Sequence, residues 1–187
     1  RWESVCANYP WQTFGLSEQA DVYATDIQLN DEGNPTFSLH IDGQAEAVTL
    51  QLSGRHNVLN ALSASAAAYQ LGVPLTDIIS GLELVTPAKG RLTTIKVSEH
   101  LRIIDDTYNA SVASTKAALD LLGSYSGYRI FVLGDMGELG ADARAYHEEI
   151  GEHAIGTGID NLYSLGVLSQ SASEVFNGHG GKHFSQL

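Results

Sequence analysis

The 187-residue sequence has little positive charge and almost no cysteine. It contains 10 lysines and arginines against 22 aspartates and glutamates, a formal net charge of −12. This excess of acid argues against binding to nucleic acid or to an anionic membrane. The single cysteine, Cys6, cannot form a disulfide within the chain, so nothing in the sequence indicates an oxidising compartment.

Long apolar runs and two glycine motifs are also missing. No apolar run reaches the ~18 residues that a membrane-spanning helix requires, so we expect no membrane insertion and a cytoplasmic location. The segment 134–140 is glycine-rich but lacks the Gly-x-Gly-x-x-Gly spacing of nicotinamide-cofactor proteins. No Gly-x-x-x-x-Gly-Lys-Ser/Thr phosphate loop is present either, because Gly181-Lys182 lacks the required flanking residues.

The first fifty residues have the pattern of β-strands. Apolar residues alternate with polar ones at Phe37, Leu39 and Ile41, and again over residues 48–52. The polar, glycine-containing cluster 30–35 and the pair Asp42-Gly43 are turn and hairpin signals. We therefore predict an antiparallel meander with one buried face.

Helical spacing begins after this region. Residues 55–71 are rich in alanine and leucine and predict a helix that ends at a glycine. A second helix is predicted from Thr76, as a threonine cap followed by an acid, to about residue 85. Residues 86–90 have the composition of a linker, which predicts a domain boundary.

Strands and helices alternate in the second half of the chain. This alternation predicts parallel βαβ units and a doubly wound α/β sheet. The predicted strands are 101–105, 129–133, 161–165 and one that begins at 183; the predicted helices contain Val112–Leu122, Tyr146–Ala154 and Ser169–Phe176.

Two strand exits in this half are candidate sites. Ligands of open α/β sheets bind beyond the carboxyl ends of the strands. The first predicted strand leads into Asp105–Asn109 and the second into Gly134–Gly140. We expect these exits to lie side by side on neighbouring parallel strands. An aspartate pair after a strand is as often only a turn and helix cap, so both interpretations stay open.

Other candidate residues flank these exits. His56 and Asn60 share a helix face, and Asn60 can both donate to and accept from an adenine edge. The alternative is that Asn57 caps the helix and His56 is a surface residue. Arg91 follows the linker glycine and suits a phosphate or ribose contact. His147 lies among acids, which favours an exposed helix face over a catalytic role.

Taken in order, these segments resemble the Mur ligase family. The segments that carry the resemblance are Gly54-Arg55-His56-Asn57-Val58-Leu59-Asn60-Ala61-Leu62, Gly90-Arg91, Ile104-Asp105-Asp106-Thr107-Tyr108-Asn109-Ala110 and Val132-Leu133-Gly134-Asp135-Met136-Gly137-Glu138-Leu139-Gly140, with His147 following. The Tyr-Asn-Ala and Gly-Asp-Met-x-Glu-Leu-Gly forms are similar to those of the D-alanyl-D-alanine-adding members. The resemblance covers nearly all of residues 54–151.

The resemblance implies a fold and an activity. Residues 1–88 would be the last part of a P-loop-type central ATPase domain, and residues 89–187 most of a Rossmann-like C-terminal domain with a mainly parallel sheet. The whole enzyme would use ATP and Mg²⁺ to join D-alanyl-D-alanine to UDP-N-acetylmuramoyl-tripeptide through an acyl phosphate, in peptidoglycan synthesis.

The resemblance also implies roles for particular residues. Asn60 matches an adenine-contacting asparagine, and Arg91 and Asp106 match residues that reach the nucleotide ribose. Four further residues match motif positions near the nucleotide or the acceptor: His56, Asn57, Tyr108 and Asn109. No catalytic or metal-binding residue is assigned.

The sequence departs from the family pattern in two ways. Ser111-Val112 stands where many members have Asn-Pro, but a serine can still cap the following helix. The missing phosphate loop matters more, and with the unusual first residues it leads us to expect part of a longer protein, inactive alone. Two alternatives stay open: another ligase of the superfamily, such as a tripeptide-forming or folate-glutamate type, and a non-catalytic nucleotide-binding α/β module.

Overall fold

The computed structural model describes residue 8 and residues 11–185. The chain forms two compact units, Arg1–Thr86 and Pro87–Leu187. Cys6 lies outside the described residues. Within residues 11–185, none of the helices combines the length and the apolar composition needed to cross a bilayer.

The first unit contains a four-stranded sheet. Its strands lie in the order β1-β2-β3-β4; the first pair is parallel and the other two pairs are antiparallel. The antiparallel meander predicted from the sequence is therefore confirmed. The strands are β1 (Phe14–Gly15), β2 (Val22–Leu29), β3 (Pro35–Ile41) and β4 (Gln44–Thr49).

The alternating apolar residues of the sequence lie on the buried face of this sheet. Phe37, Leu39 and Ile41 are at most 2% exposed and form the core with residues of the neighbouring strands and helices. The β3–β4 hairpin turns at Asp42 and Gly43, with φ of 50° and 72°. Two successive left-handed residues are characteristic of the tight hairpin turn that matches strand twist.

Two helices follow the sheet in the described part of the first unit. Helix α1 (His56–Gln70) buries Val58, Ala61 and Leu62 on one face, and α2 (Leu75–Leu84) follows. The prediction that Thr76 caps α2 is wrong, because the helix already begins at Leu75. Pro74 is the capping position, with ψ of 145°. Proline lacks the N–H that a helix interior needs but is tolerated at its start.

The second unit is α/β, as predicted. Strands β7, β8 and β9 form a parallel sheet in that order, and helices pack against it. The elements are β5 (Thr93–Ser98), β6 (Leu101–Asp105), α3 (Val112–Ser124), β7 (Ile130–Gly134), a 3₁₀ turn (Gly140–Asp142), α4 (Ala143–Gly156), β8 (Asn161–Leu165), α5 (Gln170–Val175) and β9 (Lys182–Phe184).

One pairing differs from the prediction. The exits of β6 and β7 were expected on neighbouring parallel strands, but β6 pairs with β5 in a separate antiparallel sheet of two strands. Strand β5 was not recognised, because its sequence Thr-Thr-Ile-Lys-Val-Ser is short and largely polar. The two residues between β5 and β6 close a hairpin, so the hydrogen bonds of β6 are directed to β5.

Candidate functional site

The first group of candidate residues lies at the start of α1. Gly54 has φ of +102°, and a Cβ placed on it would come within 2.5 Å of Cε1 of His56. The half-buried imidazole therefore packs directly against the glycine backbone. His56 is the first residue of α1 and follows the capping position Arg55. Glycine is needed here both for the left-handed turn and for the close approach.

Asn57 does not cap the helix, so that interpretation of the motif is wrong. The side chain of Asn57 donates from Nδ2 to the carbonyl oxygen of Ser53 at 2.8 Å. Its Oδ1 accepts from Nδ2 of Asn60 at 2.9 Å. The two amides thus form a short chain along one helix face, and it ends at the exposed Asn60.

The second group of candidate residues lies where the β5–β6 hairpin opens. Thr93 pairs with Asp105, which places the residues before β5 beside those after β6. Asp106 accepts the N–H of Leu92 through Oδ1 at 3.1 Å. The N–H of Tyr108 donates to the carbonyl of Gly90 at 3.0 Å. These two bonds hold the linker segment against the segment that follows β6.

Arg91 and Tyr108 form the exposed part of this group. The guanidinium carbon of Arg91 lies 4.2 Å from the centroid of the Tyr108 ring, a cation–π distance. Tyr108 is 66% exposed, so the pair faces solvent with the guanidinium edge accessible. A Cβ on Gly90 would lie 3.1 Å from the N of Tyr108, so the glycine also permits this close approach.

The remaining candidate of this exit is Asn109. Its Oδ1 accepts from the N–H of Ala110 at 2.9 Å, which orders the turn into α3. Ser111 then caps α3: its Oγ accepts from Ser114 N at 3.2 Å, and Ser114 Oγ accepts from Ser111 N at 3.0 Å. The expectation that Ser111 can cap this helix is confirmed.

The exit of β7 has a different chemistry. The carboxylate of Asp135 accepts three backbone N–H groups, from Val167, Leu168 and Ser169, at 2.8–3.0 Å. Burial opposes ionisation of this carboxyl, but the hydrogen bonds outweigh it and hold the pKa of Asp135 below its ordinary value. A cluster of N–H groups that could hold an anion is therefore already filled by the protein itself.

His147 is a buried part of the same exit, so the prediction of an exposed helix face is wrong. Its side chain is 0% exposed. Nε2 accepts the N–H of Met136 at 3.0 Å, and Nδ1 lies 2.7 Å from the carbonyl of Ala143. Both contacts are satisfied when the neutral ring carries its proton on Nδ1. The histidine fixes the turn after β7.

Each unit by itself contains side chains of the types that contact nucleotides. Asn60 suits the edge of a base, and Arg91 with Asp106 suits hydroxyl or phosphate oxygens. Across residues 11–185, no group of three or more histidines, cysteines or acids could hold a metal ion. These residues therefore offer no cluster of that kind for Mg²⁺.

The structure brings some predicted site residues together within each unit. In the first unit Asn57 contacts Asn60, and in the second Arg91, Asp106 and Tyr108 share one loop arrangement. Ser53, which orients Asn57, was missed by sequence reasoning. Its position four residues before Asn57 was the available signal.

Comparison with known proteins gives two family matches. A profile described as Mur ligase, glutamate ligase domain matches residues 90–186, and one described as Mur ligase middle domain matches residues 3–68.

Individual relatives agree with these matches. The UDP-N-acetylmuramoyl-tripeptide–D-alanyl-D-alanine ligase of Escherichia coli (strain K12) is 37% identical over 185 residues, which are 98% of this chain and 40% of the relative. The ligase of the same name from Haemophilus influenzae is 38% identical over 98% of this chain and 39% of the relative.

A solved structure shows the same fold. A crystal structure of MurF from Acinetobacter baumannii superposes with a TM-score of 0.87 at 36% identity, covering 97% of this chain and 38% of that one. The chain thus spans about 40% of the length of the curated relatives that it matches.

Proposed function

Because the chain belongs to the Mur ligase family, we propose that it is part of an ATP-dependent amide ligase that joins D-alanyl-D-alanine to UDP-N-acetylmuramoyl-tripeptide. The observation that carries this proposal is the 37% identity to a ligase of that name across 98% of the chain. The proposal includes a place in peptidoglycan synthesis and a cytoplasmic location. Residues 1–88 would belong to the central domain and residues 89–187 to the C-terminal domain.

The proposed reaction has two steps. The terminal carboxylate of the tripeptide takes the γ-phosphoryl group of ATP, which gives an acyl phosphate and ADP. The neutral amine of D-alanyl-D-alanine then attacks the acyl carbon and loses a proton to solvent, an amide bond forms, and phosphate leaves with the C–O bonding pair. Activation is needed because the oxygen of a free carboxylate is a poor leaving group. Catalysis then depends mainly on positioning and charge neutralisation.

Within this proposal Asn60 contacts the adenine. The Asn60 amide is exposed at the surface of α1. One of its two N–H groups donates to Asn57. The amide oxygen and the second N–H can then accept from N6 and donate to N7 of the base. His56 and Asn57 support this end of the helix rather than react.

Arg91 and Asp106 contact the nucleotide ribose in the proposal. The bond from Leu92 uses one carboxylate oxygen of Asp106, and a ribose hydroxyl can donate to the other. The ring of Tyr108 supports the Arg91 guanidinium from one side and leaves its N–H edge accessible. Asn109 orders the turn beyond Tyr108.

The test is a ligase assay on the complete gene product. Incubation with ATP, Mg²⁺ and UDP-N-acetylmuramoyl-tripeptide should release phosphate when D-alanyl-D-alanine is added, and the product mass should rise by one dipeptide less one water. A single amino acid as acceptor should give no turnover. Turnover with a single amino acid and none with the dipeptide would instead assign the chain to another ligase of the family.

The 187 residues alone should behave differently. Because they contain no phosphate-loop motif, we expect zero phosphate release from ATP with both substrates present. Clear turnover by this chain would contradict the proposal that it is only part of the ligase.

A further inference from the structure

The amide chain at the start of α1 carries a consequence for base selection. We propose that Asn57 is a positioning residue that fixes the orientation of the Asn60 amide and thereby selects adenine over guanine nucleotides. The proposal rests on the function proposed above, since it specifies how Asn60 acts in the same site.

The Ser53 carbonyl oxygen determines the direction of both hydrogen bonds in the amide chain. The backbone oxygen of Ser53 can only accept, so Asn57 must direct its NH₂ group toward it at 2.8 Å. The oxygen of Asn57 then faces Asn60, and Asn60 must present its own NH₂ at 2.9 Å. Neither amide can turn over by 180° without placing two like groups together. The outward face of Asn60 is therefore set by a carbonyl seven positions earlier.

That carbonyl belongs to a well-anchored segment. Ser53 is 6% exposed, and its hydroxyl lies 2.8 Å from Oδ1 of Asn34 and 3.0 Å from the carbonyl of Glu32. The next residue, Gly54, donates its N–H to the carbonyl of Gly33 at 2.8 Å. The start of α1 is thus held to the β2–β3 turn. The Ser53 carbonyl that orients Asn57 is therefore fixed in position.

The fixed orientation distinguishes the two purines. Adenine presents an N6 donor beside the N7 acceptor, whereas guanine presents two acceptors, O6 and N7. A fixed Asn60 offers one acceptor and one donor, so it matches adenine twice and opposes guanine at O6. An amide released from Asn57 could instead direct both of its N–H groups at guanine, one to O6 and one to N7, because the N–H that Asn57 binds is then free. Losing the constraint should therefore reduce selectivity as well as affinity.

The experiment compares two variants of Asn57 in the complete gene product. Titration calorimetry gives the Kd for ADP and for GDP, and thermal melting reports stability. Asn57→Ala removes the acceptor for Asn60, so ADP should bind about tenfold more weakly and the preference for ADP over GDP should shrink about tenfold. Asn57→Asp can still accept from Asn60 but cannot donate to Ser53, so it should melt lower yet keep the preference.

Three results of these measurements would overturn the proposal about Asn57. A purely structural role for Asn57 predicts that both variants melt lower and lose ADP and GDP affinity in equal proportion, which would overturn the proposal. A wild-type protein that binds ADP and GDP equally would also overturn it while leaving the ligase function intact. A wild-type protein that binds neither nucleotide would instead overturn the proposed function, and the inference with it.

Discussion

The two strand exits of the second unit both contain acidic residues but use their side chains differently. At the β6 exit, Tyr108 and the neighbouring linker residue Arg91 face solvent, and the Leu92 N–H uses one oxygen of Asp106. After β7, Asp135 binds three backbone N–H groups and His147 has both ring nitrogens engaged. An acid after a strand can thus keep an oxygen for a ligand, as we propose for Asp106, or hold a loop, as Asp135 does. The difference lies in where the donors and acceptors are directed.

The largest effect on this comparison should come from His147→Ala. The change leaves a cavity at a 0% exposed site and removes the acceptor for the Met136 N–H, so we expect about 3–4 kcal/mol less stability in the second unit. Native-state hydrogen exchange at the amides of β7 and β8 measures this free energy.

His153→Ala is the matched control on the same helix. His153 makes a partly exposed pair with Asp120, with Nε2 at 2.7 Å from Oδ1, so its loss should cost less than about 1 kcal/mol. Equal costs for the two alanine variants would mean that the buried histidine does not fix the turn after β7.

A smaller effect is expected for Asp135→Asn. Its carboxylate bonds are charge-assisted but exposed to solvent, so we expect about 1–2 kcal/mol at neutral pH after allowing for screening. Urea unfolding of the variant and of the wild type measures the difference. Glu138→Gln, at an exposed position of the same loop, should change stability by less than about 0.5 kcal/mol.

The contribution of Asp135 should also depend on pH. The folded-state pKa is lower than the ordinary value of 3.8, so the stabilisation is present above that value. It is lost as the pH falls below 3.8 through the folded-state pKa. The gap between wild type and Asp135→Asn should therefore close in acid. A gap that widened in acid would show that the carboxylate is not the stabilising form.

Arg91→Ala should affect stability less than Asp135→Asn. The guanidinium contacts Tyr108 at an exposed site, where such contacts contribute about 0.5–1 kcal/mol at most. Arg102→Ala is the control, because its guanidinium lies 5.9 Å from the Tyr125 ring in the same unit. Thermal melting should separate neither variant clearly from the wild type. A large loss for Arg91→Ala would place Arg91 with the structural residues.

The helices and strands with strong apolar patterns could be predicted from the local sequence. Periodicity predicted α1 to within one residue at each end, and the strands β6 and β8 at their observed bounds. These segments have strong apolar patterns, and a pattern of that kind depends only on neighbours along the chain. Strand β5 was missed because its partner, rather than its composition, makes it a strand.

Long-range contacts did not follow from the sequence. His147 lies among polar neighbours, and its burial depends on the backbone of Met136, eleven residues earlier. Asp135 is bound by N–H groups more than thirty residues away. The candidate nucleotide residues came from motif order, whereas the role of Ser53 behind Asn57 appears only when the hydrogen bonds are known.

Nucleotide affinity tests the contrast between the two exits most directly. Titration calorimetry of ADP into the complete gene product should show about tenfold weaker binding for Arg91→Ala, which loses a charge-assisted contact. Asp135→Asn should bind ADP within about twofold of the wild type, despite its greater loss of stability. Weakened binding in Asp135→Asn with none in Arg91→Ala would contradict the account.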